Sequence, residues 1–319
     1  MKSKLAALLL AAIVLSVAAR ADDPRTRDYS GIDEWALKTS GLARSPEALA
    51  ERLARPAQDD FDKARALFRW MAANIAYDVD AFLTGLPGPA TAEDTLRTGK
   101  SVCQGYSSLF ERMAQAVGLE VVTITGWGKG WGYVPGQALG RPNHAWNAVR
   151  IAGRWYLFDA TWGAGYVNET KQYVAQLRDL YFLTPPEQFV TNHLPLDPSW
   201  QLLMTPVSGE EFVARVRAEP EFFRHGLRLL THQNGVVESG LQLHMAFTAP
   251  PEVRMLAQIS ADGRDLTREP LTGQRDDDQI GFELSFPGAG SYDVGFYATS
   301  GDQYSVHDCV VKYRVNVTP

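Results

Sequence analysis

The sequence predicts an α+β domain followed by an antiparallel β-sandwich. Apolar residues recur at helical spacing between Tyr29 and Ile75, strand-like segments begin at Glu120, and short alternating runs separated by turn residues begin at Gly226. Helices followed by strands are typical of the α+β class, and repeated short strands are typical of a sandwich. The length suits two domains.

The first residues have the pattern of a secretory signal. A charged start, Met1-Lys-Ser-Lys4, precedes the apolar run Leu5 to Ala19, and Ala19-Arg-Ala21 suits a cleavage site. The apolar run is shorter than the roughly 20 residues that span a bilayer. We therefore expect a signal at 1–21 and an exported mature chain, periplasmic or secreted, without a membrane span. An uncleaved anchor is the alternative.

Three helices are predicted next, and a short one starts at Thr91 and ends at Gly99. The third carries an apolar stripe, which we interpret as core packing. The three helices are Tyr29 to Lys38, Ser45 to Arg55 and Asp59 to Ile75, and the stripe is Phe61, Ala64, Leu67, Phe68, Met71 and Ile75.

Cys103 lies where the sequence changes from small, flexible residues to helical periodicity. Apolar residues then recur every three or four positions, and Gly118 suits the helix end. A cysteine in the first turn of a helix meets unpaired amides and the positive end of the helix dipole, which favour the reactive thiolate. The same amides, including that of Cys103 itself, can receive a developing oxyanion.

His144 and Asp159 lie on two strand-like segments joined by Ala152-Gly153. A two-residue hairpin would pair Ile151 with Arg154 and make Asp159 the diagonal neighbour of His144 on the same face. A thiol, an imidazole and a carboxylate are the components of nucleophilic attack on an amide. Each residue alone also has a structural interpretation: a strand histidine and a strand-end aspartate are common.

Two further site predictions concern aromatic residues. The segment between Gly126 and Asn143 is long and rich in Gly and aromatics, so Trp131 and Tyr133 are candidates for a wall of the substrate cleft. An exposed loop packed on the body is the alternative. Tyr77 is a candidate second oxyanion donor, with a half-buried tyrosine at a helix end as the favoured interpretation.

The C-terminal part is divided by pattern. Ser208-Gly-Glu-Glu211 predicts a capped helix. The predicted boundaries are 22–205 for the catalytic domain, 206–225 for a helical linker and 226–319 for an immunoglobulin-like β-sandwich. The expected strands are Leu241 to Phe247, Val253 to Ile259, Ile280 to Phe286, Ser291 to Tyr297 and Ser305 to Val317.

Composition excludes some partners. The net charge is −6, the pI is about 5.6 and no basic stripe is visible, which argues against nucleic acid. Cys103 and Cys309 are the only cysteines, so a single disulfide is an alternative to a reactive thiol. The other histidines lack ligand spacing, so we predict no metal and no cofactor. They are His193, His225, His232, His244 and His307.

Four sequence blocks in order resemble the transglutaminase-like superfamily, and more narrowly its kyphoscoliosis-peptidase-like branch. In chain order, the four blocks contain Val102-Cys-Gln-Gly-Tyr106, Gly126-Trp-Gly-Lys-Gly130, His144-Ala-Trp-Asn-Ala-Val149 and Gly153-Arg-Trp-Tyr-Leu-Phe-Asp159. The resemblance implies a papain-like cysteine-protease fold with Cys103 as nucleophile, His144 as base and Asp159 as orienting residue. It also implies a protein or peptide substrate.

The resulting hypothesis is cysteine-dependent acyl transfer through a thioester. With water as acceptor the enzyme is a peptidase or amidase, which the resemblance favours. With an amine it is a crosslinking transglutaminase. An exported binding module without catalysis is the alternative from another functional class. The sequence leaves the natural substrate, the acyl acceptor and the oligomeric state open.

Overall fold

The computed structural model describes residues 23–39, 45–86, 88, 90–267, 269–301 and 306–319. The predicted signal at 1–21 lies outside these residues. By contacts the described chain divides into two units. The first comprises the residues up to Thr123 together with Trp146–Thr184, and the second comprises Ile124–Ala145 and Pro185–Pro319. The domain boundaries at 205 and 225 stay predictions.

The first unit is mainly helical, and the predicted helices are present with ends shifted by one or two residues. Side chains of Ser45, Asp59 and Thr91 cap three of them by accepting a backbone N–H of the first turn. The helices are α1 (Ser30–Lys38), α2 (Pro46–Leu53), α3 (Asp60–Asn74), α4 (Val79–Thr84), α5 (Ala92–Thr98), α6 (Cys103–Ala116) and α7 (Ala160–Ala164).

Helix α3 packs against α1, α2, α6 and α7 and carries the centre of this core. Of the stripe predicted on it, Phe61 is partly exposed and the other members are buried. Phe68 and Leu67 have no exposed surface. Packing of this apolar face, rather than helix propensity alone, therefore stabilises the helix.

Strands complete the first unit. β1 (Ala76–Tyr77) pairs in parallel with β2 (Lys100–Ser101), and β6 (Gly165–Val167) pairs with β7 (Tyr173–Ala175). A larger sheet has the order β5-β4-β3, formed by β3 (Glu120–Gly128), β4 (His144–Ile151) and β5 (Arg154–Phe158).

The second unit begins where β3 continues past Thr123. Gly126, Trp127 and Gly128 pair antiparallel with β8 (His193–Pro195), which follows the short helix α8 (Pro186–Phe189). Helices α9 (Gly209–Ala214) and α10 (Pro220–Arg224) precede the sandwich. Ser208 and Glu211 form the predicted capping box at the start of α9.

The C-terminal strands form two sheets, as predicted. One has the order β10-β18-β17-β12-β13 with β14 also on β12, and the other has the order β15-β16-β11-β9. All pairs are antiparallel except β10 with β18. The strands are β9 (Arg228–Leu229), β10 (Val236–Ser239), β11 (Gln242–Thr248), β12 (Arg254–Ala261), β13 (Arg264–Asp265), β14 (Leu271–Thr272), β15 (Gln274–Asp276), β16 (Gln279–Ser285), β17 (Gly290–Thr299) and β18 (Asp308–Val317).

Inward-facing side chains of both sheets form one apolar core. Met245, Phe247, Leu284 and Phe296 are buried in it, and the Phe247 and Phe296 ring centroids lie 4.8 Å apart. The start predicted for the last strand, Ser305, lies outside the described residues. Among the described helices, none combines the length and apolar character required to cross a bilayer.

Candidate active site

Cys103 is the first residue of helix α6, as the sequence predicted. Val102 before it is extended, and its carbonyl accepts the first helical N–H groups, from Gly105 at 3.0 Å and Tyr106 at 3.3 Å. The amides of Cys103 and Gln104 therefore precede the intrahelical ladder. The cysteine side chain is partly exposed. This is the setting that favours a thiolate.

The glycine two residues after Cys103 is required by close packing. A Cβ at Gly105 would lie 2.0 Å from Ser101 Oγ, 2.4 Å from Thr95 Oγ1 and 2.7 Å from Ser101 Cβ. Real Cβ atoms do not approach so closely, and Ser101 belongs to strand β2. The absence of a side chain at Gly105 therefore lets α5 and β2 hold the first turn of α6.

Buried polar contacts fix the rest of α6. The Tyr106 hydroxyl donates to the Ile75 carbonyl, and this side chain is fully buried. Asn147 of β4 donates to the Ser107 carbonyl at 3.2 Å. These bonds anchor the helix to the segment before β1 and to the sheet, so the position of Cys103 is set by the core of the first unit.

Tyr77 lies beside the start of helix α6 because β1 pairs with β2. Tyr77 is in register with Ser101, and the Asp78 amide donates to the Ser101 carbonyl at 3.0 Å. Burial raises the pKa of Tyr77, and the negative charges of Cys103 and Asp159 raise it further. The phenol is thus within electrostatic range of both residues and keeps its proton at neutral pH. Its role as an oxyanion donor stays a prediction.

Asp159 follows β5 directly and has no exposed surface. Its Oδ1 accepts the Trp162 N–H at 2.9 Å, which makes it the N-cap of α7. Its own N–H donates to the Tyr181 carbonyl at 3.0 Å. Asp159 therefore has the structural role of a helix cap at the end of a strand. An orienting role for the carboxylate stays a prediction.

The hairpin before Asp159 has the predicted register. Ile151 pairs with Arg154 and Asn147 with Phe158. Ala152 and Gly153 both have positive φ, 49° and 79°, as a two-residue type I′ turn requires. His144 is the first residue of β4 and is buried. The convergence of Cys103, His144 and Asp159 stays a prediction.

His193 is a residue whose setting the sequence analysis missed. It begins β8 and is 1% exposed. Its ring centroid lies 5.2 Å from that of His144 and 3.9 Å from that of Phe189, on which it stacks. Its Nδ1 lies 2.6 Å from Asn192 Oδ1. Spacing along the chain could not reveal this pair, because 49 residues separate the two histidines.

The segment after β3 contains a second residue that sequence reasoning missed. Lys129 is 1% exposed, its Nζ donates to the Arg215 carbonyl at 2.6 Å and it lies over the Phe212 and Tyr133 rings, 4.4 and 5.2 Å from their centroids. Burial, with the like charges of Arg217 and Arg215, lowers the pKa of Lys129 to about 7.

The two predicted cleft residues differ in their surroundings. Trp131 is 38% exposed, whereas Tyr133 is partly buried and packs against Lys129. Burial raises the pKa of Tyr133. Tyr133 thus packs within the second unit. That Trp131 and Tyr133 contact the substrate stays a prediction.

Neither Cys103 nor Cys309 is in a disulfide, so the alternative of a single bridge is wrong for this structure. Cys309 lies in strand β18, where burial raises the pKa of its thiol to about 11. Its thiol is therefore neutral at physiological pH. The expected absence of a metal and a cofactor stays a prediction.

Two family models match separate parts of the chain. Residues 47–160 match the transglutaminase-like superfamily, and residues 209–318 match the KY-like, immunoglobulin-like domain. Together the matches cover more than half of the chain. The first includes Cys103, His144 and Asp159, and the second includes the whole β-sandwich.

Several curated proteins are similar in sequence. Kyphoscoliosis peptidase of Mus musculus is 39% identical over 56% of this chain and 27% of its own length, and that of Homo sapiens is 35% identical over 63% and 31%. Hillarin of Drosophila melanogaster is 34% identical over 59% and 24%. The chain thus spans less than a third of these relatives.

Solved structures give only weak overall similarity. A structure described as a TGase has a TM-score of 0.30 and 19% identity over 44% of this chain and 34% of its own. A putative cysteine protease from Cytophaga hutchinsonii has a TM-score of 0.24 and 22% identity over 43% and 39%.

Proposed function

Because the chain belongs to the transglutaminase-like superfamily, on its kyphoscoliosis-peptidase-like branch, we propose that it is a cysteine-dependent acyl-transfer enzyme acting on protein or peptide amides. The observation that carries this proposal is the position of Cys103 as the first, partly exposed residue of α6. Water as the acceptor would make it a peptidase or amidase, which the names of the mammalian relatives favour.

The proposed reaction has two stages. The Cys103 thiolate attacks the amide carbonyl, forming a C–S bond and an oxyanion. His144, which holds the proton taken from the Cys103 thiol, donates it to the leaving amine as the C–N bond breaks, leaving a thioester and a neutral imidazole. Neutral His144 then takes a proton from water, which attacks the thioester; the C–S bond breaks, the acid is released, and Cys103 and His144 return to their starting state. If an amine replaces water, the product is a new amide and the enzyme is a crosslinking transglutaminase.

The chain offers donors for the oxyanion. The amide of Cys103 is in the first turn of α6, where it has no intrahelical acceptor. Burial raises the pKa of Tyr77, as do the charges of Cys103 and Asp159, so its hydroxyl stays protonated and able to donate. In this proposal Asp159 orients His144 with the carboxylate that also caps α7.

We also propose export, on the signal-like pattern of residues 1–21. Expression of the full sequence in a host with an export pathway, followed by mass measurement of the product, tests it. A product recovered outside the cytoplasm and starting near Asp22 supports export. An intact chain retained in the cytoplasm contradicts it.

The acyl-transfer proposal is tested with casein and a labelled primary amine as generic acceptor probe. Wild type, Cys103→Ala and the matched control Cys309→Ala are incubated and read by mass spectrometry for new N termini, deamidated glutamine or incorporated amine. Wild type and Cys309→Ala should form the same product, and Cys103→Ala should form none. New N termini or deamidated glutamine identify water as the acceptor, whereas incorporated label identifies an amine.

A binding module without catalysis is the second candidate. One relative, 25% identical, is named for a process rather than a reaction, the cytokinesis protein 3 of Schizosaccharomyces pombe. This candidate predicts that Cys103 reacts with iodoacetamide at the rate of an ordinary thiol and that His144→Ala leaves this rate unchanged. The acyl-transfer proposal predicts that His144→Ala slows alkylation by about tenfold or more.

A further inference from the structure

His193 is held rigidly on two sides. Its ring stacks on Phe189 with centroids 3.9 Å apart and 19° between the planes. On the ring edge, Nδ1 lies 2.6 Å from Asn192 Oδ1. Because an amide oxygen only accepts, this contact requires a proton on Nδ1. The contacts therefore fix the plane of this imidazole and place a proton on its Nδ1.

The supports of His193 are themselves anchored by the backbone. The Asn192 amide donates to the Phe189 carbonyl at 3.2 Å, and the Asn192 carbonyl accepts the Lys129 N–H at 2.9 Å. His193 is also in register with Gly128 at the β3–β8 edge. The turn after α8 and the end of β3 therefore form one hydrogen-bonded support beneath the ring.

This ring contacts the predicted catalytic base. The His144 and His193 centroids lie 5.2 Å apart with 45° between the planes, and both side chains are buried. Two adjacent imidazolium ions would repel each other, so His144 and His193 are not expected to carry a charge at the same time. His193, fixed by its own contacts, therefore restricts the orientation of the His144 ring.

We propose that His193 is a positioning residue for the acyl transfer, holding the His144 ring in the orientation that exchanges protons with Cys103 and the leaving group. This inference rests on the proposed function. His193 itself touches neither the nucleophile nor the substrate in this proposal. It acts through His144.

The test is a double-mutant cycle read by iodoacetamide alkylation of Cys103, with peptide mapping to separate Cys309. His193→Phe keeps an aromatic ring and removes both nitrogens. It should slow alkylation by about fivefold or more, and the double variant with His144→Ala should be no slower than His144→Ala alone. A purely structural residue would instead give additive effects, which would overturn the proposal.

Two further measurements separate positioning from a loss of folding. His225→Phe is the matched control, because His225 is also buried and its Nδ1 also has a side-chain partner, Ser300 Oγ at 2.8 Å. It should leave the alkylation rate unchanged. Correlated ¹H–¹⁵N spectra of the histidine rings should show Nδ1–H for His193, and the His144 signals should shift in His193→Phe but not in His225→Phe.

A milder variant covers the case in which His193→Phe does not fold. Asn192→Ala removes the acceptor and leaves the ring, so alkylation should slow by about twofold or more and the His144 signals should shift. Unchanged rates and unchanged His144 signals in a folded variant would overturn the proposal. If His144→Ala itself has no effect on Cys103, the proposed function fails, whereas the ring spectra still report whether the two histidines are coupled.

Discussion

The two cysteines of this chain lie in contrasting backbone settings, one at the start of a helix and one inside a strand. Cys103 begins helix α6 beside amides that have no intrahelical acceptor, and it is partly exposed. Cys309 lies in strand β18 of the sandwich, where burial raises the pKa of the thiol to about 11. A helix start favours the charged thiolate, whereas a packed strand favours the neutral thiol.

Two buried basic side chains, one in each unit, differ in how their charge is compensated. In the first unit Arg65 donates to both carboxylate oxygens of Asp33 at 2.6 Å and also pairs with Asp179, so its buried charge is compensated. In the second unit, the partners of the Lys129 ammonium among the described residues are a carbonyl and two rings, and burial lowers its pKa to about 7. Carboxylates therefore compensate the charge of Arg65, whereas burial favours the neutral form of Lys129.

The largest expected effect is the difference in reactivity between the two thiols. At pH 7 we expect iodoacetamide to alkylate Cys103 at least about 100-fold faster than Cys309, because pH 7 lies about four units below the Cys309 pKa of about 11 and little of that thiol is ionised. Peptide mapping over time measures both rates in one sample. Rates within a factor of about ten would remove the contrast.

The second prediction concerns Lys129. Its folded pKa of about 7 lies below the ordinary 10.5, so the unfolded chain binds the extra proton between these values. The stability of wild type should therefore rise with pH from about 7 towards 10.5, by up to about 1.4 kcal/mol per pH unit, relative to Lys129→Met, which does not titrate.

Urea unfolding of wild type and Lys129→Met between pH 7 and pH 10 measures this difference. Lys312→Met, which removes an exposed lysine of the same unit, is the matched control and should show a constant offset from wild type. If the offset of Lys129→Met is also constant with pH, the buried charge is compensated in a way that the contacts do not show.

The third prediction concerns the packing that holds Cys103. Gly105→Val places a side chain where even a Cβ would lie 2.0 Å from Ser101 Oγ, so we expect a loss of about 3 kcal/mol of stability and of Cys103 reactivity. Gly240→Val in the sandwich meets no heavy atom within 4 Å of its Cβ and should change stability by less than about 0.5 kcal/mol. Equal effects at both sites would be evidence against the tight first turn.

The smallest stability effect is expected at Asp159, where two variants distinguish capping of α7 from the proposed orientation of His144. Asp159→Ala removes the cap on the Trp162 amide and should cost about 1 kcal/mol, whereas Asp159→Asn keeps a capping oxygen and should cost little. Both variants should slow acyl transfer, because both remove the carboxylate. Thermal melts with an activity assay test this, and full activity in Asp159→Asn would leave Asp159 with the structural role alone.

Local patterns allowed much of the fold to be predicted. The helical stripe of α3, the capping box at Ser208 and the turn at Ala152-Gly153 each depend on residues a few positions apart, and each is present in the structure. Cys103 at the start of α6 belongs to the same class. The parallel pairing of β10 with β18 was not predicted, because nothing in either strand specifies the direction of a partner about 80 residues away.

The sequence by itself therefore determined the element order, the position of Cys103 at the start of its helix and the register of the hairpin that precedes Asp159. Only the tertiary structure decided which buried groups meet. It placed His193 against His144, and it buried Lys129 at the Arg215 carbonyl. The physical reason is that helix and hairpin geometry is set by short-range backbone constraints, whereas contacts between distant segments depend on how complete elements pack.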